Sequence, residues 1–359
     1  MASPIPRTGW MQAFDERRTP NKALTSFFKA RPGSFYKGSK VKIDVRRDEE
    51  NVAVVVVDRT GGRENTILTF TNKEFTPPVY DEVITFEFGE LLNRMAGVDE
   101  YSAADIEYSA QLTAQMIEGM TIILNKITRA VELQASQILQ TGQLSLTNAS
   151  GTVLYDLDFK PKTSHFPTAG ADWSGVSNKL SDLESLMTVI RADSGINCAT
   201  AIFGAAALNY FLDDSKVQDR LNNRRMEMGM VNPQLMDSGM TYYGSVWVGT
   251  YSVDIWAYPE TYKHPQTGVA TNYVGADNVI LLSTRTELTL SAASVPPALQ
   301  DPRVASLLPG RLSNPAQGYD ITPNVYSSPN GKVIHGELES RPLLIPTQID
   351  GFGCLQTIA

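Results

Sequence analysis

The sequence predicts an α+β fold, in which long extensions project from a body of mixed strands and helices. Three patterns support this prediction: an aromatic and basic N-terminal stretch, one very long helical periodicity, and alternating strand and helix patterns after Leu144. The chain has 359 residues, 42 % of them apolar and 19 % charged. A chain of this length and composition can bury a large core, divided among two or three domains.

Charge is divided unevenly along the chain. Residues 1–63 contain 13 basic and 7 acidic side chains, whereas the remaining residues contain 18 basic and 32 acidic ones. The overall net charge of −8 argues against a general polyanion-binding protein. The basic end can instead be attracted to acidic surfaces, with a strength that salt reduces.

The cysteines and the apolar stretches predict a protein that is made and kept in aqueous cytoplasm. Cys198 and Cys354 are the only cysteines, and they lack the spacing of a zinc site or a disulfide framework. The N-terminus lacks the apolar core of a secretory signal. The longest uncharged stretch, 194–212, is interrupted by polar residues and is not expected to cross a membrane.

Residues 1–38 are predicted to form an extended arm. Prolines and glycines disfavour regular structure near its start. Its large apolar side chains nevertheless need burial; they are Trp10, Phe14, Leu24, Phe27, Phe28, Phe35 and Tyr36. Packing on the arm's own domain and packing on a neighbouring subunit both remain open. Whichever surface the arm packs on, deletion of residues 1–38 is expected to leave the α/β portion folded.

Residues 40–88 are predicted to form a long β-hairpin. The β-branched run 52–57, the turn residues 58–63 and the alternating segment 67–72 follow one another in the order that a hairpin requires. The two prolines at 77–78 make its far end an edge strand or no strand. Because an isolated hairpin is marginally stable in water, its apolar face is expected to be buried outside the domain.

Residues 102–141 predict one long helix of about 60 Å. Its mostly apolar stripe consists of Ile106, Ala110, Thr113, Ile117, Met120, Leu124, Ile127, Val131, Gln134 and Ile138. Ser102 and Asp105 resemble a capping box, Gly142 fits the position after the helix end, and Gly119 is the expected site of a bend. A coiled coil is the alternative, but charges beside the stripe are sparse, which favours a single helix backed by a sheet.

After Leu144 the predicted strands and helices alternate. The predicted strands are 153–159, 199–203, 240–248, 251–258, 279–283, 343–345 and 355–358, and the predicted helices cover 180–190 and 205–212. A stretch rich in Pro, Gly and Ser follows the first strand at 161–177, and residues 295–331 are predicted to be mostly loop.

No catalytic, cofactor-binding or metal-binding residues are predicted. His165, His264 and His335 are the only histidines, and none has another His or Cys at a ligand spacing. If the chain were an enzyme, Asp254 or Glu260 could form an acid–base pair with His264, but closeness in sequence is weak support for such a pair.

Two charged groups of side chains are also expected to have no specific site. Asp213, Asp214 and Asp219 lack the glycine and the terminal glutamate of a calcium loop, so a solvated helix face is predicted for them. Arg224 and Arg225, together with the basic arm, could contact phosphates without reading sequence.

The order of arm, hairpin, very long helix and α/β portion resembles the HK97-type major capsid proteins of tailed bacteriophages, and more closely the lambda-like major capsid protein E family. The segments that carry the resemblance are 27–32, 75–79, 84–86, 88–94, 155–159, 202–204 and 253–258, with Trp173, Tyr262 and Gly268. They span nearly the whole chain.

The resemblance implies an HK97-like capsid fold with five parts. These are an N-terminal arm (1–38), an E-loop hairpin (39–88), a P-domain (89–160) with a spine helix at 102–141, an A-domain (161–335), and C-terminal strands (336–359) that return to the body.

The resemblance also implies a function in self-assembly. Copies would form the pentamers and hexamers of an icosahedral shell around double-stranded DNA, in a virion assembled in the host cytoplasm. The expected partners are a scaffolding protein acting in trans, a portal protein and, through non-specific contacts, the packaged DNA. A trimeric decoration protein at the threefold axes is left as a hypothesis, and no membrane or cofactor is expected.

One feature of the HK97 prototype cannot be carried over to this chain. That prototype joins its subunits covalently through Lys and Asn side chains. Lys73 lies in the predicted hairpin, but no acceptor Asn or catalytic carboxylate aligns, so non-covalent assembly is expected. Two other functions stay as alternatives: a phage tail or adaptor component, and an α/β enzyme with an unrecognised site.

Overall fold

The computed structural model describes residues 20–36, 41–45, 71–87, 108–147, 150–175, 177–222, 234–236, 238–293, 321–329 and 333–358. Predictions for Trp10, Phe14, the hairpin segment 46–70, the capping pair Ser102 and Asp105, and Arg224 and Arg225 lie outside these residues.

The described residues form four α-helices and eighteen strands. The helices are α1 (Tyr108–Thr141), α2 (Lys179–Ser194), α3 (Ala205–Leu212) and α4 (Ser215–Asn222). The strands are β1 (Lys29–Tyr36), β2 (Val41–Val45), β3 (Thr71–Phe75), β4 (Tyr80–Glu87), β5 (Gln143–Thr147), β6 (Val153–Asp158), β7 (Thr200–Phe203), β8 (Gln234–Leu235), β9 (Thr241–Val248), β10 (Tyr251–Ala257), β11 (Thr261–Lys263), β12 (Ala270–Asn272), β13 (Asn278–Leu282), β14 (Thr289–Ala293), β15 (Ile321–Ser327), β16 (Val333–Ser340), β17 (Pro342–Ile345) and β18 (Gly353–Gln356).

Helix α1 packs its first half on the antiparallel sheet β15-β16-β4. The apolar cluster between them comprises Met116, Met120, Ile123, Ile127, Val325, Ile334 and Leu338. Gly119 lies where a Cβ atom would come within 2.7 Å of Phe86 and 2.8 Å of Ile84. The missing side chain therefore lets the helix approach β4 closely. The prediction of a single helix backed by a sheet is confirmed.

The second half of α1 packs in a different core. Ala135, Ile138 and Leu139 share an apolar cluster with one face of the six-stranded sheet β18-β13-β7-β10-β9-β8. Helices α2 and α3 cover the opposite face of that sheet, with Leu183, Met187 and other apolar side chains of α2 fully buried. The helix ends as predicted, because Gly142 adopts the left-handed conformation at φ 66° and its N–H donates to the Ile138 carbonyl.

The predicted stripe on α1 is partly wrong in its orientation. Ile117 and Leu124 are 52 % and 38 % exposed, whereas Met116 and Ile123, which the stripe omits, are buried. Gln134 is buried as the stripe requires. Its amide donates to the Tyr80 hydroxyl at 2.8 Å, so this polar interruption has a buried partner.

The arm is not free of its own domain in the described part. Ala23, Leu24 and Phe28 lie in the core beside α1, and β1 pairs in parallel with β14. Deletion of 1–38 would therefore open the core, which contradicts the expectation that the α/β portion would remain folded.

Three other sequence-based assignments also need correction. The strand after the prolines at 77–78, β4, is an edge strand as predicted, but it pairs with β16 rather than with the β2–β3 hairpin. Residues 321–327, predicted to be loop, form β15. The predicted boundary between the A-domain and the C-terminal strands, at 335/336, falls inside β16. This strand pairs with β4 in the sheet that packs on α1. In this sheet β15 and β16 form a local hairpin, whereas the β4–β16 pairing joins segments about 250 residues apart.

Substitution of Ile127 by Asp should destabilise the protein by about 4 kcal/mol or more, because an unpaired charge would replace a side chain that is only 4 % exposed. Urea unfolding of dissociated subunits, followed by circular dichroism, measures this change. Ile117→Asp on the same helix is the matched control and should change the unfolding free energy by about 0.5 kcal/mol or less. Equal losses in both variants would contradict the orientation of α1.

Candidate assembly surface

A buried carboxylate fixes the N-terminal segment to α1. Glu132 is fully buried. Its Oε1 atom accepts hydrogen bonds from the Leu24 N–H at 2.7 Å and the Tyr258 hydroxyl at 2.9 Å. Its Oε2 atom accepts bonds from the N–H and the hydroxyl of Thr25, at 3.0 and 2.5 Å. Glu132 thus connects the arm, the spine-like helix and the loop after β10 through one charged group.

Two tyrosines pack around this carboxylate. The rings of Tyr258 and Tyr273 stack with centroids 6.0 Å apart. Burial raises the pKa of both phenols, and the negative charge of Glu132 raises them further. Tyr258 therefore keeps its proton and continues to donate to Glu132 at neutral and moderately alkaline pH.

Helix α1 exposes apolar side chains beside the face that packs on the sheet and on its other sides. Ile117, Ile122 and Leu124 are between 37 % and 52 % exposed. A groove of about 130 Å³ opens beside Leu124. It is lined by Lys22, Thr25, Leu124, Ile127, Thr128, Val131, Leu290, Ile321, Ser340 and Pro342. This groove is mainly apolar and has one basic residue at its border.

The solvent-facing side of the sheet under α1 is both apolar and acidic. Val83 on β4 is 45 % exposed. On β16, Glu337 accepts a hydrogen bond from the Asn324 amide at 2.9 Å. Burial raises the pKa of Glu337, and the nearby Asp81 carboxyl raises it further.

The β5–β6 hairpin carries the most exposed large apolar side chain of the described residues. Leu154 is 72 % exposed and Val153 is 53 % exposed. The strand register pairs Leu146 with Tyr155 and Thr147 with Val153, which leaves Leu154 as the extra residue of a β-bulge. Bulges commonly redirect a side chain, and here the redirected side chain is apolar and solvent-exposed.

The structure uses the candidate acid–base residues in structural contacts. Glu260 accepts a hydrogen bond from the Asn21 amide at 2.7 Å, and Asp254 lies on β10 within 3.4 Å of the Tyr242 hydroxyl. His264 accepts a bond from the Gln266 N–H inside a tight loop. The structure gives these residues no contact with one another that would define a catalytic pair.

The three aspartates of the predicted solvated helix face and the two cysteines also lie in the described part of the chain. Asp214 accepts a hydrogen bond from the Lys216 N–H at the start of α4 and lies 3.6 Å from the Lys179 ammonium, so it is not simply solvated as predicted. Asp213 and Asp219 are exposed. Cys198 and Cys354 are buried free thiols, and burial raises the pKa of each to about 12.

Within the described residues, no cluster of His, Cys, Asp and Glu side chains could hold a metal ion. No helix in this part of the chain has the length and apolar character needed to span a membrane.

His165 is buried and contacts a partly exposed ion pair formed by Lys162 and Asp193. Its Nε2 atom lies 2.8 Å from the Asp193 carboxylate, and its Nδ1 atom lies 3.0 Å from the Phe352 carbonyl. The Lys162 ammonium donates to Asp193 at 2.6 Å. This bond holds the pKa of Asp193 below its ordinary value, and His165 lowers it further. The network ties the loop before α2 to the segment that leads into β18.

Comparison with known proteins identifies relatives over almost the whole chain. The model of the family described as phage major capsid protein E matches residues 15–353. No curated protein sequence matches the chain.

Solved structures show the same fold. A prophage protein of Escherichia coli CFT073, described as a capsid protein, aligns with a TM-score of 0.62 and 14 % identity over 95 % of this chain and 94 % of its own. A phage-related protein from Bordetella bronchiseptica RB50 aligns with a TM-score of 0.51 and 12 % identity over 95 % and 93 % of the two chains.

Sequence reasoning missed Glu132 and Leu154. The only sequence signal for Glu132 was a charged residue between the apolar residues Val131 and Leu133, directly after a position of the stripe. Leu154 lies in a predicted strand, and only the observed register shows that it is a bulged residue.

Replacement of Glu132 by Gln should lower the unfolding free energy by about 1–3 kcal/mol, because the amide group cannot accept all the hydrogen bonds that the carboxylate accepts. Thr25→Val should have a smaller effect of about 1 kcal/mol, because it removes one of these bonds. Urea unfolding of dissociated subunits measures both changes. A Glu132→Gln variant as stable as the natural chain would contradict the role of Glu132 as the anchor.

Substitution of Lys162 by Met should lower stability by about 1 kcal/mol at pH 7. The difference should decrease as the pH falls below the unfolded pKa of Asp193 and disappear once the pH is below its lowered pKa in the folded state. A carboxyl whose pKa is depressed by folding contributes stability above its unfolded pKa of about 3.9 and loses it once it is protonated in both states. Denaturant unfolding across this pH range tests the prediction. Lys160→Met, two residues away and exposed, is the control and should show no pH-dependent difference.

Proposed function

The chain belongs to the phage major capsid protein E family, and from this membership we propose that its copies assemble into pentamers and hexamers that close an icosahedral shell around phage double-stranded DNA. A capsid protein is a structural component of the virion, and the family match over residues 15–353 is the observation that carries this conclusion. The HK97-like fold agrees with it.

The distribution of exposed apolar side chains supports assembly. Ile117, Ile122 and Leu124 on α1, Val83 on β4 and Leu154 on β6 are all more than a third exposed. Surfaces of this kind commonly mark protein–protein contacts. Cyclic assembly repeats each contact in every subunit, so that a small surface contributes many times.

The proposed domains are those predicted from the sequence, with corrected boundaries. Helix α1 with β4, β15 and β16 would form the P-domain, and the six-stranded sheet with α2 and α3 would form the A-domain. The β2–β3 hairpin and the residues before Pro20 would contact adjacent subunits. The charge difference between residues 1–63 and the remaining chain favours this docking.

The expected partners follow from the same proposal. A scaffolding protein acting in trans, a portal protein and a trimeric decoration protein at threefold axes would bind the shell, and the packaged DNA would make non-specific contacts. Assembly would take place in the host cytoplasm through non-covalent contacts. The acidic majority of the chain would limit binding between shell and DNA.

Family membership favours a shell protein over the two alternatives. A tail or adaptor component would belong to a different family, and a capsid protein has a structural rather than an enzymatic role.

Expression of the chain with its scaffolding protein should yield closed shells in negative-stain electron micrographs. A chain that begins at Pro20 should stay folded, because the anchored residues 23–36 are kept, but it should form fewer closed shells. Circular dichroism checks the fold and micrographs count the shells. Full-length protein that stays monomeric in every assembly condition would contradict the proposed function. Normal shells from the shortened chain would contradict only the role of the arm.

A further inference from the structure

Three carboxyl groups lie together on the face of the sheet β15-β16-β4 that points away from α1. Glu337 and Glu339 are partly exposed residues of β16, and they alternate with buried residues that face α1. Asp81 is an exposed residue of β4. The strand register places Asp81 directly opposite Glu339 and, because Val83 lies opposite Glu337, diagonally across from Glu337. Side chains in both positions are close enough to interact.

Only one of these carboxyl groups has a cationic partner within the described ranges. The Arg341 guanidinium donates two hydrogen bonds to Glu339, at 2.8 and 3.1 Å. Glu337 accepts a bond from the Asn324 amide at 2.9 Å, and this donor is neutral. The negative charges of Glu337 and Asp81 are therefore not balanced by a bonded Lys or Arg of the described residues.

A bond between Glu337 and Asp81 requires a proton. Their carboxyl groups are within hydrogen-bond reach of each other. Ionised carboxylates only accept hydrogen bonds, so one of the two groups must be protonated before they can bond. Burial raises the pKa of Glu337, and the Asp81 carboxyl raises it further. The pair therefore binds a proton at a higher pH than a Glu of the unfolded chain, whose pKa is about 4.3.

The other groups that face this pair come from β15, β16 and α1. On β15, burial and the charges of the pair raise the pKa of Tyr326, which keeps its phenol protonated at neutral pH. On β16, the His335 ring stacks on Tyr326 at 4.9 Å, and its Nδ1 atom lies 3.2 Å from the Thr85 hydroxyl. From α1, Lys126 donates to Glu82. Because histidines commonly titrate between pH 5 and 8, His335 needs its own control.

The pair joins the outermost strand of this sheet to its centre. Among the described strands, β4 pairs only with β16. Repulsion between carboxylates across this pairing therefore acts on an edge strand, which can open locally without unfolding of the whole chain. Through Pro77 and Pro78, β4 also continues from β3 of the β2–β3 hairpin. The strength of the β4–β16 pairing thus affects how firmly that hairpin is attached.

We infer that Asp81 and Glu337 share one proton, and that this proton holds β4 on β16 more firmly in mildly acidic than in neutral solution. A carboxyl whose pKa is raised by folding binds its proton more tightly in the folded state. Its contribution to stability therefore falls as the pH rises from the unfolded pKa of about 4.3 through the higher folded pKa of Glu337. The inference concerns a single copy and does not depend on the proposed assembly.

Amide hydrogen exchange of dissociated subunits, measured by mass spectrometry on peptides from β4, reports the opening of this strand. After correction for intrinsic exchange rates, the protection of β4 should fall about fivefold between pH 5 and pH 7. Glu337→Gln keeps an acceptor for Asn324 but removes the titrating group. Its β4 should be about fivefold better protected at pH 7 than that of the natural chain, and nearly independent of pH. Protection that does not change with pH in the natural chain, or an unchanged pH dependence in the variant, would overturn the inference.

Two control variants test the assignment to Glu337. Glu339→Gln removes the neighbouring carboxylate, which has Arg341 as its partner, so it should not increase protection at pH 7. His335→Gln should keep the pH dependence of the natural chain. An equal gain in Glu339→Gln, or loss of the pH dependence in His335→Gln, would assign the effect to another group and overturn the inference.

A double variant tests whether the proton is shared. Asp81→Asn alone should protect β4 at pH 7 about as well as Glu337→Gln alone, because either change removes the repulsion between the two carboxylates. The double variant should give no further gain. Gains that multiply in the double variant would show two independent effects and would overturn the shared proton.

Discussion

The fold depends on one helix that belongs to two hydrophobic cores. The first half of α1 is buried against the sheet β15-β16-β4, and its second half is buried against the six-stranded sheet. Val131 contacts both clusters, and Glu132 follows it directly. A carboxylate at this point would be costly to bury without partners, but the arm and Tyr258 supply hydrogen-bond donors. The two cores and the N-terminal segment are therefore held in one arrangement by a single element.

This arrangement explains why the chain presents apolar surface without losing stability. The sheet does not cover the whole surface of α1, so Ile117 and Leu124 remain 52 % and 38 % exposed and contribute less to folding than the buried Met116 and Ile123. Selection can then use these side chains for contacts between copies, since changing them does not open the core. The same holds for Leu154, because a bulged residue is released from the cross-strand packing that fixes its neighbours.

Local patterns made α1, α2 and most strands of the six-stranded sheet predictable from sequence. The buried face of α2 follows a clear helical spacing from Leu180 to Ile190, and β7 is a short uninterrupted apolar run. Strand β15 was missed because Pro323 disfavours a strand. Strand β16 was missed because Ile334 and Leu338 alternate on its buried face with Gly336 and Ser340, which weakens the apolar pattern, and its partner β4 is distant in sequence. The groove could not be predicted either, because its lining comes from the arm, α1 and four strands that meet only in the folded chain.

The strength of any one of these contacts between copies must be modest. Full burial of a side chain such as Leu154 contributes about 1.5–3 kcal/mol, and an exposed ion pair contributes about 1 kcal/mol or less, which salt reduces further. A subunit held by one such contact would dissociate readily, whereas a closed ring gives each subunit two neighbours and leaves no free end. Weak single contacts therefore allow misplaced copies to leave during assembly, and closure supplies the stability that each contact lacks.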